Sequence, residues 1–349
     1  MQITNHQITK VVGDSDYNTP MELDALIGAK LVVGIPGLEA TDEVIASLRR
    51  TQAQSLVVFS RNFDSPEQFT TLLRRLEAAL GRRLLVMVDH EGGRVIRFSH
   101  GVTRFPDARN LGASSQPGDV ERQGALEADE LRRLGVGINL APCVDVVVEG
   151  SDPIIGDRSY GSDPVRVAAL AVARIRGLQS HGVVACAKHF PGLGAVPRDP
   201  HKTLPTIPID WPAMERAHLP PFRAAIDAGV ELVMSSHVCY PSFGDHAGLP
   251  ATFSRGLIRS VLRSAMRFQG LVLTDDLEMG ALRTFGSLGE AAVRATEAGH
   301  DLLLICSDLA AAEDAASSLR RACHDGRLKL EEIQESASKL AALRQKFSL

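Results

Sequence analysis

Leu84-Leu85-Val86-Met87-Val88-Asp89-His90-Glu91 is an unbroken apolar run that ends in three ionisable side chains. A strand with one wet face alternates apolar and polar residues, whereas a strand covered on both faces is apolar throughout. This run is of the second kind, as is Leu302-Leu303-Leu304-Ile305. Working outward, the strand candidates are Lys30–Gly34, Ser55–Phe59, Leu84–Asp89, Gly137–Leu140, Val183–Lys188, Glu231–Ser236, Gly270–Thr274 and Asp301–Ile305. Helical patterns fall near 41–52, 65–80, 119–134, 163–180, 212–228, 255–268, 287–299 and 308–323. Two of their starts, Asp64-Ser65-Pro66-Glu67 and Ser162-Asp163-Pro164, offer a capping oxygen followed by a first-turn proline. Alternating strands and helices predict a parallel sheet covered by helices. Eight such units fit an α/β (β/α)8 barrel of the TIM type better than an open doubly wound sheet, the architectural alternative. No Gly/Ser- or Pro-rich linker and no tandem repeat divides the chain. Residues 1–349 are therefore expected to form one catalytic domain, with a core over roughly 28–325 and a C-terminal helical tail over 326–349.

Composition narrows the functional class. With 44% hydrophobic and 23% charged residues the chain has the balance of a soluble globular enzyme. A net charge of −4 supplies no basic stripe for nucleic acid. The start, Met1-Gln2-Ile3-Thr4-Asn5-His6-Gln7, lacks the basic and apolar regions of a signal peptide, and no apolar stretch is long enough to cross a bilayer. Cys143, Cys186, Cys239, Cys306 and Cys323 are scattered and odd in number, which reads as packed, reduced thiols in the cytoplasm. Aromatic residues make up only 5%, with Trp211 the sole tryptophan, so a small polar pocket is expected in place of an aromatic-lined groove.

In barrels of this type chemistry sits at the C-terminal ends of the strands. Here Asp89-His90-Glu91, Lys188-His189, Ser236-His237 and Asp275-Asp276 close four of them. Buried charges are costly unless paired or used, so four such ends converging on one mouth indicate a site. The segment from Lys188 to His201 is a long loop punctuated by Gly192, Gly194, Pro191, Pro197 and Pro200, and it ends in Asp199-Pro200-His201. Its composition suits a mobile lid, and it suits equally a surface loop whose Asp199 bonds a neighbouring amide.

The motifs Val88-Asp89-His90-Glu91-Gly92-Gly93-Arg94-Val95-Ile96-Arg97-Phe98, Ile155-Gly156-Asp157-Arg158-Ser159-Tyr160, Ala187-Lys188-His189-Phe190-Pro191-Gly192, Asp199-Pro200-His201 and Thr274-Asp275-Asp276-Leu277-Glu278-Met279 occur in this order. Together they resemble the single-domain β-N-acetylglucosaminidases of glycoside hydrolase family 3, the NagZ type, over almost the whole chain. The resemblance implies a retaining hydrolysis of terminal β-linked N-acetylglucosamine, with Asp275 as nucleophile and His201, held by Asp199, as acid/base. It implies that Asp89, Arg97, Arg158, Lys188 and His189 hold the sugar, and that neither metal nor cofactor is required. It further implies a carbohydrate substrate drawn from cytoplasmic peptidoglycan fragments, a monomer or weak homo-oligomer, and no membrane or nucleic-acid partner. Asp276 is expected to be a cap or ion-pair partner, Glu91 and Arg94 to support the loop, and His237 to be a satisfied strand-end histidine.

Two positions depart from the family pattern. Leu193 stands where a histidine is common, which removes a polar contact, and Pro200 stands where a serine is common, which restricts the loop carrying His201. Four other readings compete, one of them a metal-dependent barrel hydrolase, which needs clustered His/Asp ligands that the first strand, Leu31-Val32-Val33-Gly34-Ile35-Pro36-Gly37, does not supply. Phosphorolysis or transglycosylation on the same site is open because a neutral imidazole does not repel an anionic acceptor. Lys188 as a Schiff-base lysine needs a lowered pKa. A sugar-binding barrel without activity predicts loss of Asp275, His201 or Asp199, and all three are present.

Overall fold

The computed structural model describes residues 20–243 and 248–349; residues 1–7, read above for a targeting signal, lie outside them. Eight parallel strands close into a barrel in chain order. They are β1 (Leu31–Gly34), β2 (Ser55–Val58), β3 (Leu85–Val88), β4 (Ile138–Asn139), β5 (Val184–Phe190), β6 (Leu232–Ser235), β7 (Leu271–Asp276) and β8 (Leu302–Ile305). Closure is completed by β1 beside β8, with Val32 paired to Leu304. The open doubly wound alternative is thereby excluded.

The uninterrupted apolar runs are explained by two separate cores. On β3, Leu85 and Met87 point into the barrel interior, where they meet Val57, Ile138, Val184, Leu232, Leu271 and Leu302. Val86 and Val88 point outward and pack under the helices with Leu72, Leu76 and Val120. Alternate residues thus enter different apolar environments, and no position along the strand is wet. Ser65 caps helix Pro66–Leu80 by accepting from the Gln68 amide at 3.1 Å, and Asp163 caps helix Pro164–Ser180 through the Val165 amide at 3.0 Å. The helical pattern near 212–228 is broken into Trp211–Ala213, a π-type turn over Met214–His218, and Leu219–Asp227. Pro220 and Pro221 lack the amides that a continuous α-helix needs there.

The last helix, Leu330–Phe347, sends Leu340 and Leu343 into the interior cluster and closes the barrel end opposite the strand C-termini. Below it lies a buried polar knot. Lys30 Nζ donates to the carbonyls of His300 (2.8 Å) and Asp301 (3.1 Å) and to Ser336 Oγ (3.0 Å). Burial, set against the attraction of Asp301, pushes the Lys30 ammonium from 10.5 down to about 8. The folded value is the lower one, so between these pH values the unfolded chain holds more protons and stability rises with pH. That rise amounts to roughly 3 kcal/mol. In Lys30→Met it is expected to disappear; denaturant unfolding of both proteins across this window checks it, and parallel curves would refute it. Among the described residues no helix is long and apolar enough to cross a membrane, and all five cysteines are unpaired.

Candidate active site

The strand ends place the ionisable residues around one mouth. Asp89 and Glu91 follow β3, and Lys188 and His189 lie within β5. Lys188 Nζ reaches Asp89 Oδ1 and Glu91 Oε1, each at 2.6 Å. Arg158, on a short 3-10 turn over Gly156–Arg158, grips Glu91 with two parallel bonds of 2.9 and 2.8 Å. Burial works against the Glu91 charge, but Arg158 and Lys188 hold its carboxyl well below the usual carboxylate range. Burial likewise works against the Lys188 ammonium, yet Asp89 and Glu91 raise it above its ordinary value. A lysine locked as an ammonium is no amine nucleophile, so this geometry speaks against the Schiff-base reading. Arg97 lies 3.7 Å from Asp89 and stacks on Phe59, and its buried Nε has no hydrogen-bond partner. Arg94 pins the 3-10 turn by bonding Asp157 (2.7 Å) and the Ile154 carbonyl (2.8 Å).

The residue that sequence reasoning missed is Asp145. It is fully buried in the loop after β4 and accepts from His189 Nδ1 (2.7 Å), the His189 amide (3.3 Å), the Leu193 amide (2.6 Å) and Cys143 Sγ (3.2 Å). The Arg158 guanidinium lies 3.4 Å from His189 Nε2, on the far side of the ring. Asp145 fixes the tilt of the His189 ring through Nδ1. The signal was present as an acidic residue just past a strand, in Pro142-Cys143-Val144-Asp145, but nothing local marks its partner 44 positions away. Cys143, Asp145 and His189 bring ligand-type atoms within 4.8 Å of one another. Burial and the Asp145 charge push the Cys143 thiol well up, so the donor set suits a hydrogen-bonded brace better than a thiolate metal site. In Asp145→Asn the brace loses its charge and its fit to His189. Its kcat/KM is expected to drop by about 10- to 100-fold, with a lower melting temperature; a turnover equal to wild type would show that His189 needs no such brace.

A second set of residues, also missed, backs the mouth. The Asn139 side chain exchanges hydrogen bonds with the His90 backbone, its Nδ2 donating to the carbonyl (2.9 Å) and its Oδ1 accepting from the amide (3.1 Å). It also reaches Glu127, which pairs with Arg174 at 2.5 Å. Arg174 in turn donates to the Glu91 carbonyl at 3.3 Å. The backbone carrying Asp89, His90 and Glu91 is thus held from behind by a buried ion pair between helices Pro117–Arg133 and Pro164–Ser180.

Asp275 lies near the end of β7, half-buried, with its Oδ1 accepting from the Asp276 amide at 2.8 Å. Burial alone would raise its pKa, but the nearby imidazoles of His189 and His237 and that amide hold the carboxyl below its ordinary value. Asp276 behaves differently. Its Oδ1 accepts from the Glu278 amide (3.1 Å) and the Cys306 amide (3.3 Å), and burial pushes it up to about 7. It is a turn-capping carboxylate. His237 is fully buried, with Nδ1 on Thr252 Oγ1 (2.5 Å) and Nε2 donating to the Asp276 carbonyl (2.9 Å), a strand-end histidine with both nitrogens used.

The loop after β5 carries the remaining pair. Asp199 Oδ1 accepts from His201 Nδ1 at 2.7 Å and from the His201 amide at 2.9 Å. Burial disfavours the Asp199 charge, but these two contacts keep its pKa below the usual value. The His201 side chain is 57% exposed, free to approach a bound molecule with Nε2. Leu193 is 2% exposed and packs in the outer core, so the side chain at this position is interior. Its backbone amide supplies the polar contact, to Asp145. Gly194 is required for close approach, since a Cβ there would lie 1.9 Å from the Val146 carbonyl oxygen.

The model of the glycosyl hydrolase family 3 N-terminal domain matches residues 23–343. A β-hexosaminidase of Nitrosomonas eutropha is 37% identical over 296 residues, spanning 83% of this chain and 84% of that protein. Among solved structures, a family 3 β-N-acetylglucosaminidase from Paenibacillus sp. str. FPU-7 superposes with a TM-score of 0.90 at 37% identity, over 93% of this chain and 62% of that one. This chain therefore spans less than two thirds of the Paenibacillus protein. NagZ from Neisseria gonorrhoeae, in complex with N-trifluoroacetyl-D-glucosamine, superposes with a TM-score of 0.75 at 30% identity, over 90% of this chain and 97% of that one. A match over nearly all the described residues, on this barrel and with relatives above 30% identity, gives one answer: the chain belongs to glycosyl hydrolase family 3 and is a glycoside hydrolase.

Proposed function

We propose that this protein is a retaining, exo-acting β-N-acetylglucosaminidase. The observation that carries the reading is a strand-end carboxylate, Asp275, at the mouth that also receives the His201–Asp199 pair. The Asp275 carboxyl is held below its ordinary pKa, and the exposed His201 side chain is oriented by the Asp199 carboxylate. In the first step an Asp275 oxygen bonds to the anomeric carbon, the glycosidic C–O bond breaks, and protonated His201 gives its proton to the departing oxygen. In the second step His201 removes a proton from water, the water oxygen bonds to the anomeric carbon, and the Asp275 ester is released as carboxylate. Asp89, Arg97, Arg158, Lys188 and His189 hold the sugar hydroxyls. Residues 1–349 act as one catalytic unit, monomeric or weakly self-associating.

The natural substrate in this reading is N-acetylglucosamine β-linked to anhydro-N-acetylmuramoyl peptides, met in the cytoplasm during cell-wall recycling. The gonococcal relative bound to an N-acylglucosamine and the five unpaired thiols both support it. The test is release of nitrophenol from 4-nitrophenyl N-acetyl-β-D-glucosaminide beside the corresponding β-glucoside. Cleavage of the first alone is expected; cleavage of the glucoside alone would refute the assignment.

A further inference from the structure

The loop that bears Asp199 and His201 is stitched down at both ends but touches the barrel mouth through little backbone in between. Its start is tied to the segment after β4, by Val148 N to the Gly194 carbonyl (3.0 Å) and Asp152 N to the Val196 carbonyl (2.8 Å). Its end is tied to the segment after β6, by Cys239 N to the Pro205 carbonyl (3.0 Å) and Ile207 N to the Cys239 carbonyl (2.9 Å). Between these, the backbone hydrogen bonds joining the described residues 197–204 to another element come from one place. Gly280 N donates to the His201 carbonyl at 3.1 Å, and Ala281 N donates to the Pro200 carbonyl at 3.2 Å. Gly280 and Ala281 begin the 3-10 helix Gly280–Phe285, a few residues beyond Asp275 on the same chain segment.

The fit at this contact leaves no room for a side chain. A Cβ on Gly280 would lie 2.6 Å from the His201 carbonyl oxygen and 2.8 Å from that of Lys202. Both obstacles are backbone, so the loop itself would have to move. Gly280 shows no left-handed φ, and Ala has the better intrinsic helix propensity. The glycine is therefore required by the neighbouring loop and by nothing in its own helix.

We infer that Gly280 is a positioning residue: it and Ala281 form the seat that sets the distance between the His201 acid/base and the Asp275 nucleophile. The seat hangs from the strand that carries the nucleophile, so the reaction's two partners share one short backbone connection. The inference rests on the glycosidase reading given above. Displacing a catalytic group by about 1 Å costs on the order of 100-fold in rate, and the displaced group here is the one that protonates the leaving oxygen. The penalty then depends on the leaving group, which a general loss of structure would not produce.

The test compares wild type, Gly280→Ala and Gly280→Val on two N-acetyl-β-D-glucosaminides. One carries phenol, which leaves slowly unless protonated, and the other carries 2,4-dinitrophenol, which leaves without a proton. For the phenyl substrate kcat/KM should fall about 100-fold in Gly280→Ala, and further in Gly280→Val. For the dinitrophenyl substrate it should fall less than about threefold. Equal losses on both substrates, or none on the phenyl substrate, would overturn the seat. Hydrogen exchange reads the same contact without turnover: the backbone amides at position 280 and of Ala281 should exchange at least about tenfold faster in Gly280→Val. Unchanged exchange overturns the inference. Wild-type inactivity on both glycosides would instead overturn the glycosidase reading, leaving the exchange result to decide the seat.

Discussion

Asp275→Ala should retain less than about one ten-thousandth of wild-type kcat on 4-nitrophenyl N-acetyl-β-D-glucosaminide, while substrate binding is largely preserved. The carboxylate is the group proposed to bond to the anomeric carbon, and no neighbour can take its place. Asp276 is adjacent, but its Oδ1 is engaged by the Glu278 and Cys306 amides and burial pushes its pKa up to about 7. Glu278 is committed to the Ser307 amide and hydroxyl and to the Asp308 amide, at 2.6, 2.8 and 3.1 Å. Removing the Asp275 side chain opens space beside the anomeric carbon, so added azide should restore turnover and yield the α-glycosyl azide. Azide then forms the new bond to carbon while His201 still protonates the departing oxygen. Wild-type enzyme quenched during turnover should carry a glycosyl ester on the Asp275 peptide by mass spectrometry. Activity above about one hundredth of wild type in the alanine variant would exclude Asp275 as nucleophile.

The second large effect concerns His201. His201→Ala should lower kcat/KM for a phenyl glycoside by about 1000-fold, within the usual contribution of a positioned acid or base. The dinitrophenyl glycoside should still form the glycosyl ester quickly, and its steady-state rate should then be limited by attack of water. A burst of dinitrophenol followed by slow turnover is therefore expected in the variant. Asp199→Asn should show a milder form of the same pattern, since an amide oxygen can still accept from Nδ1 but brings no charge to stabilise the imidazolium. Should His201→Ala slow both substrates equally and without a burst, His201 would be a structural residue and the acid/base would have to be sought elsewhere.

Much of this was legible in the chain itself. The run Leu84–Val88 identified a strand covered on both faces because such a strand has no wet positions, a property of every residue within it. The caps at Ser65 and Asp163 were legible for the same reason, since a capping oxygen serves amides two or three residues away. Leu193 shows where a local reading stopped short. Its side chain is interior, and its amide donates to Asp145, a partner that no local pattern marks.

The sequence by itself determined the eight strand-and-helix units, the charged strand ends and the motifs around Asp89, Lys188, His201 and Asp275. All depend on interactions that span a few residues or on the identity of single side chains. Only the tertiary structure decided that Asp145 braces His189, that the Glu127–Arg174 pair supports the Glu91 backbone, and that the last helix closes the barrel with Leu340 and Leu343. It alone brought Gly280 under the carbonyls of His201 and Lys202. Each of these joins residues tens to hundreds of positions apart, and what pairs them is the packing of separate strand-and-helix units around the closed barrel, which no local pattern encodes.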